Sequence, residues 1–321
     1  MIIDCHGHLV PPPLLAEIKG RAAEFPAVHI TEAGGFSFAG GKATRPVAPF
    51  LQNAQQRLDW MDKNALTHQV VGGWLDMFGY EIPAAQGVAW SRLMNAHLKR
   101  AQAEQPRFVP LACVPMQDGA AAAEVLAEAM EQGFPGAMIG TQPKGVGGVL
   151  DDPSLTPFWE TADRTGAVVF IHPVFESGDN RVHDYGMANA VGRVTDTMIA
   201  VSRLIYSGHV LKYRNARIVC GIGGSGLPFI LGRLKTNAAL DKTLGDPEAS
   251  LKAMWYDTIL QDARALRFLA DVVGADRIML GSDYPFPIGD MAPRKVIAEA
   301  GFSPAETAAM ESGIARALFR L

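Results

Sequence analysis

Cysteine is scarce in this sequence: Cys5, Cys113 and Cys220 are the three in 321 residues. They are odd in number, far apart and without redox or metal-ligand spacing, which argues against a disulfide framework and fits a reducing, cytoplasmic setting. Positive charge is not in excess either. Lys and Arg total 29 against 33 Asp and Glu, a net charge of -4, so the electrostatic footprint of a nucleic-acid partner is missing. No run of about 18 apolar residues occurs, which excludes a helical membrane span. The opening MIIDCHGH has neither a basic n-region nor an apolar h-region, and the expectation is a protein neither secreted nor membrane-bound. Internal repeats and low-complexity linkers are lacking. With 48% hydrophobic and 19% charged residues, the composition is that of an ordinary globular protein with room for a large core.

What is present is alternation. Short β-branched runs, Met1 to Asp4, Gln69 to Trp74, Phe108 to Val114, Gly136 to Gly140, Val168 to Ile171, Arg217 to Gly221, Met254 to Ile259 and Arg277 to Gly281, read as strands. Between them Gly87 to Glu104, Ala120 to Gln132, Thr156 to Thr165, Val194 to Ser207 and Ala263 to Val273 read as helices. Eight strands with crossover helices predict an α/β fold, a closed (β/α)8 TIM barrel. The stretch from about 26 to 50 breaks the pattern: VHITEAGGFSFAGG reads as a hairpin inserted into the barrel. The chain, 1–321, is expected to be a single domain with that insertion.

Three strand ends carry chemistry. His6-Gly7-His8 follows the first strand, and residues i and i+2 of an extended chain face one side, so both imidazoles can reach one metal ion. FIHP puts His172 after a buried-looking strand and GSDYPFP puts Asp283 after the last. Each has a plain reading alone: solvated histidines, a histidine bonded to backbone before a turn, an Asp that caps the DYP turn. In a parallel barrel, however, all carboxyl strand ends meet at one face. His6, His8, His172 and Asp283 together then make a metal site.

HGH, FIHP, the Gly-rich SGLPFILGR and GSDYPFP resemble the amidohydrolase superfamily, in the branch that contains 2-amino-3-carboxymuconate-6-semialdehyde decarboxylase. The resemblance spans nearly the whole chain. It implies a distorted (β/α)8 barrel, usually dimeric, with one divalent metal, zinc first and manganese second, held by His6, His8, His172 and Asp283. It also suggests substrate contacts. Arg45, which precedes Arg57 in TRPVAPFLQNAQQRLDWMD, would bind a substrate carboxylate, and Arg233 in FILGR would reach the neighbouring subunit's site; a planar guanidinium suits a carboxylate through paired hydrogen bonds. Phe78 and Tyr185 match pocket aromatics, the second across a one-residue gap. Surface ion pairs and core packing are the plain readings of these four.

One position departs from the pattern. Where the family's Gly-rich segment begins with a histidine that moves protons, GIGGSGLPFILGR has Ile222. His183, in the loop after the FIHP strand, is the candidate replacement; His209, His97 and His68 fall at places where structural roles dominate. The expected activity is a metal-dependent non-oxidative decarboxylation, a carbon-carbon lyase reaction on an aromatic or muconate-like carboxylic acid, with Asp283 as metal ligand and proton carrier. The alternatives are a metal-dependent hydrolase or hydratase of a ring-cleavage product, like the 4-oxalomesaconate hydratases, and a catalytically silent barrel. The expected partners are a small carboxylic acid and a second copy of the chain.

Overall fold

A computed structural model describes residues 1–174 and 178–321. Its strands, in chain order, are β1 Ile3–His8, β2 Val28–Ile30, β3 Phe36–Phe38, β4 His68–Gly72, β5 Phe108–Pro110, β6 Gly136–Gly140, β7 Val168–His172, β8 Arg217–Cys220, β9 Trp255–Asp257 and β10 Ile278–Met279. Except for the antiparallel β2-β3 pair, all pairings are parallel, in the orders β1-β4-β5 and β10-β9-β8-β7-β6. Two seams join these arcs into a barrel. Ala112 receives and donates bonds at β6 (Ala112 N to Gly136 O 2.9 Å, Met138 N to Ala112 O 3.0 Å), while Cys5 N to Leu280 O and Asp283 N to His6 O, both 2.8 Å, tie β10 to β1.

The barrel interior is filled by inward side chains that alternate along the strands, as a two-residue period requires: Ile3 and Cys5 with Val70, Met138, Val168, Phe170, Val219 and Met279. Leu318 and Phe319 of the last helix, Ile314–Phe319, plug the amino end of this core. The outer helices present apolar stripes to the barrel. In Ala263–Val273, Leu266, Leu269, Ala270 and Val273 are buried, and the Asp262 side chain caps the helix by accepting from Arg264 N and Ala265 N.

Most predicted strand ends shift by one or two residues, and two shift by four. β1 runs on through the HGH motif, because Gly7 bridges Tyr284 and His8 N donates to Tyr284 O at 2.8 Å. β5 stops at Pro110: the side-chain amide of Asn95 takes Cys113 N (2.7 Å) and donates to Cys113 O (3.0 Å), replacing the ladder there. The expected hairpin insertion is present as β2-β3, with Gly34 in the turn at φ 86°, a left-handed conformation that glycine adopts without strain. Phe36 and Phe38 hold it edge-on against Trp90 of the helix Ala84–Glu104.

Beneath the barrel mouth lies a buried polar relay. Asp4 accepts from His6 N (3.1 Å), Ser282 N (3.0 Å), the Ser282 hydroxyl and Gln69 Nε2 (2.7 Å). The fully buried Arg57 donates in turn to Gln69 Oε1 and to the backbone carbonyl of His8, and its guanidinium lies 4.9 Å from the Tyr284 ring centre. Burial pushes Asp4 up to about 6 and Arg57 down to about 10. Arg57→Ala removes the one cation of this relay and orphans two buried acceptors, so a loss of about 2–4 kcal/mol in urea unfolding is expected; a loss well under about 1 kcal/mol would contradict the relay's structural role.

Candidate metal centre

The four candidate ligands meet at the carboxyl ends of their strands. His6 and His8 close β1, His172 closes β7 and Asp283 follows β10. A β-bulge makes the first pair work. Ile3 and Cys5 point into the barrel, and unbroken alternation would send Gly7 after them, but the register shifts between Asp4 and Gly7. That extra residue changes the parity, so His6, packed on Phe170 at 4.7 Å between ring centres, and His8 face inward instead. Asp283 sits at φ 60°, a left-handed conformation that aspartate tolerates.

One ligand atom from each of the four residues lies within 4.8 Å of the others, and all four residues are buried. Each imidazole is turned by a bond at its Nδ1: His6 to Asp257 Oδ2 (2.7 Å), His8 to Gly73 O (3.1 Å), His172 to Pro173 O (2.8 Å). Backbone carbonyls can only accept, so Nδ1 of His8 and His172 must carry the proton and Nε2 is left with a lone pair facing the cluster. His6 Nε2, His8 Nε2 and Asp283 Oδ1 are buried without hydrogen-bond partners among the described residues, although Oδ1 lies 3.1 Å from His8 Nε2, 3.6 Å from His6 Nε2 and 3.8 Å from His172 Nε2. Three lone pairs and a carboxylate oxygen aimed at one point, with no proton to share, are the donor set of a divalent cation and fit one well.

The protonation states agree with that reading. Burial drives His172 down to about 3 and lowers His8, keeping both rings neutral. For Asp283 burial pushes up, yet the His172 and His8 rings and the field of His6 hold its carboxyl well below the usual range. Burial also opposes charge on His6, but its bond to Asp257 and the fields of Asp283 and Asp257 outweigh it and raise its basicity.

Asp257, the last residue of β9, was not singled out from the sequence, because WYDTIL carries no motif. Fully buried, it accepts from His6 Nδ1, Gly223 N (2.7 Å), Ile222 N (3.1 Å) and Ile259 N (3.2 Å). Position 222 therefore serves the site through its backbone N–H. The backbone pays with φ 53° at a β-branched residue, followed by φ 54° at Gly223. Gly281 leaves room for the same carboxylate: a Cβ there would come within 2.7 Å of Asp257 Cβ.

A cavity of about 450 Å³ opens beside the cluster, lined by Arg45, Trp74, Arg193, Phe286 and Ile288 among others. Phe286 connects the two, its ring 5.3 Å from that of His8. Arg45 reaches this cavity as expected, with Nη2 3.5 Å from Asp76 Oδ2. Phe78 is buried and lines a neighbouring cavity of about 340 Å³ that Arg45 and Asp76 also border. The remaining expectations place differently. Tyr185 is 93% exposed and His183 lies on the surface beside it, so within one chain neither enters the cavity. The Asp179 side chain caps the short helical turn Asn180–Val182 by accepting from Arg181 N. Arg233 is exposed on the helix Leu227–Leu240, also outside the chain's own cavity. His97 is bound to Glu17 and His209 to Ser207.

Residues 3–321 match the family described as amidohydrolase. A 2-amino-3-carboxymuconate-6-semialdehyde decarboxylase from Dictyostelium discoideum is 30% identical over 305 residues, which cover 92% of this chain and 84% of the relative. Among solved structures, 5-carboxyvanillate decarboxylase from Sphingomonas paucimobilis has a TM-score of 0.82 at 24% identity, covering 100% of this chain and 99% of its own. The 5-carboxyvanillate decarboxylase from Novosphingobium aromaticivorans, complexed with manganese and 4-hydroxy-3-methoxy-5-nitrobenzoic acid, also has a TM-score of 0.82, at 19% identity, covering 100% and 96%.

The Asp257 contact makes a quantitative prediction. Asp257→Asn keeps the shape but weakens the orientation and basicity of His6, so metal affinity in a competition titration with a chelator should drop about 10- to 100-fold; unchanged affinity would remove Asp257 from the account.

Proposed function

This chain belongs to the amidohydrolase family, and from that premise we propose that it is a metal-dependent lyase, a non-oxidative decarboxylase of an aromatic or muconate-like carboxylic acid. The observation that carries the reading is the buried convergence of His6, His8, His172 and Asp283 beside a cavity bordered by arginine. The Dictyostelium discoideum relative is named a decarboxylase, and so are both structural neighbours. Three imidazoles and a carboxylate suit zinc or manganese; zinc is the first choice because the set is nitrogen-rich, and the manganese in the Novosphingobium aromaticivorans structure supports the second.

When bound, the divalent ion supplies Lewis acidity toward substrate oxygens. The chain's own residues do the rest. Arg45 binds a carboxylate through its planar guanidinium and sets which carbon faces Asp283. Trp74 and Phe286 wall the cavity with apolar surface and keep water from the reacting bond. Asp283, ionised at rest in these surroundings, takes up a proton from solvent and, a strong acid once protonated, delivers it to the ring carbon as the bond to the departing carboxylate breaks; the electron pair of that bond becomes the new C–H bond and carbon dioxide leaves. This route needs no side-chain base at 222, where the chain has Ile222. It works without the His183 imidazole as well, which the fold leaves on the surface.

The protein is proposed to act as a homodimer, with the exposed Arg233 reaching the partner's site from a helix that also exposes Phe229. A cytoplasmic location is supported by three free, buried cysteines; no described helix is long and apolar enough to cross a membrane.

Incubating metal-loaded protein with a panel of hydroxylated benzoates and muconate-like acids should release carbon dioxide, and Asp283→Asn should abolish it. Release that survives in Asp283→Asn would sink the proton-carrier role. A product heavier by one water, formed without carbon dioxide, would replace decarboxylation by hydration.

A further inference from the structure

Asp196, in the first turn of the helix Arg193–Tyr206, is 7% exposed, yet it belongs neither to the metal set nor to the walls of the two cavities described above. A carboxylate buried that far is costly unless donors surround it. Three do, all from the chain just after β6 and β7. The Thr141 hydroxyl donates to Oδ2, Gln142 Nε2 donates to Oδ1 at 2.9 Å, and the Val174 N–H is within reach of the same carboxylate. Burial pushes the Asp196 carboxyl up, and these bonds pull it part of the way back.

The bond to Thr141 reaches further than its two partners. A carboxylate only accepts, so the Thr141 hydroxyl proton points to Asp196, and an oxygen lone pair is left for Val174 N, 3.2 Å away. Thr141 N also donates to His172 O at 3.2 Å, so one residue holds the chain on both sides of Pro173. Val174 N and Pro173 O are the two ends of a single peptide unit, which is planar and stiff. Its carbonyl is the acceptor that turns the His172 ring, through Nδ1 at 2.8 Å. Rotating that plane would take the carbonyl from the ring and the N–H from Thr141 together. The direction of His172 Nε2 is thus tied to the Thr141 hydroxyl, and the hydroxyl to Asp196.

We propose that Asp196 is a positioning residue for the metal centre: with Thr141 it fixes the Pro173–Val174 peptide plane, and that plane fixes the His172 ring. The inference rests on the metal-dependent part of the reading above and not on decarboxylation. It differs from plain stabilisation in what it affects. A stabilising group sets how much of the protein is folded, whereas a positioning group sets the geometry at the ion in protein that is already folded.

Loading the protein with cobalt(II) tests this without turnover, because the visible absorption of the ion responds to the number and geometry of its ligands; zinc affinity is read in parallel by competition with a chelator. Thr141→Val keeps the shape of the side chain and removes the hydroxyl. Its cobalt bands should shift and its zinc affinity should fall about 10-fold, the low end for a group that acts through a ligand's hydrogen-bond partner. Asp196→Ala should do the same, while Thr141→Ser, which keeps the hydroxyl, should stay close to wild type in both readouts. Circular dichroism equal to wild type shows that each variant is folded, and the two Thr141 variants carry the test alone should Asp196→Ala fail that check. Wild-type cobalt bands and zinc affinity in Thr141→Val, even with a lowered urea midpoint, would overturn the proposal, and so would a loss in Thr141→Ser as large as in Thr141→Val. If the shift in Thr141→Val and its absence in Thr141→Ser hold while no acid releases carbon dioxide, the positioning role stands and the decarboxylase reading is what fails.

Discussion

Asp257 ties three parts of the barrel mouth into one. Its carboxylate, buried at the end of β9, accepts from the His6 ring of β1, from two consecutive backbone N–H groups at Ile222 and Gly223, and from Ile259. A carboxylate with that many donors cannot rotate without leaving buried groups unpaired, so the His6 ring it holds cannot either. The other two histidines are fixed in the same sense by carbonyls at Gly73 and Pro173. Ring direction, not mere proximity, is what brings three Nε2 atoms to one point.

That arrangement depends on a second buried layer. Asp4 holds the backbone of His6 and Ser282, and Arg57 holds the carbonyl of His8, so both ends of the β1–β10 seam are set by polar groups below the ligands. The cost of burying Asp4 and Arg57 is visible in their shifted acidities. The return is geometric: the bulge that turns His6 and His8 inward lies directly over these contacts, and a bulge without such anchors would be free to slip.

Much of this was legible in the letters, for reasons that differ by residue. The helices Thr156–Thr165 and Ala263–Val273 have the predicted bounds because Gly166 at φ 62° and the Asp262 cap stop them locally. The four ligands were legible because a barrel gathers strand ends at one rim. Asp257 and Asp196 were not: WYDTIL and AVGRVTD are unremarkable strings, and what makes them matter is a partner 251 residues away in one case and 55 residues away in the other. His183 and Tyr185, placed in the pocket by their position in sequence after His172, have exposed side chains on the surface of the single chain. Ile222 looked like a lost catalytic group; the structure shows a position whose N–H is in use.

The account stands or falls on the cation that those three rings and one carboxylate are built to receive. Metal content by plasma mass spectrometry, on protein purified without chelator and compared with a His6→Ala, His8→Ala double variant, tests it most directly. The account predicts close to one zinc or manganese per chain in the wild type and none in the variant. A wild type that stays metal-free after dialysis against both ions, or a variant that keeps its metal, would contradict it.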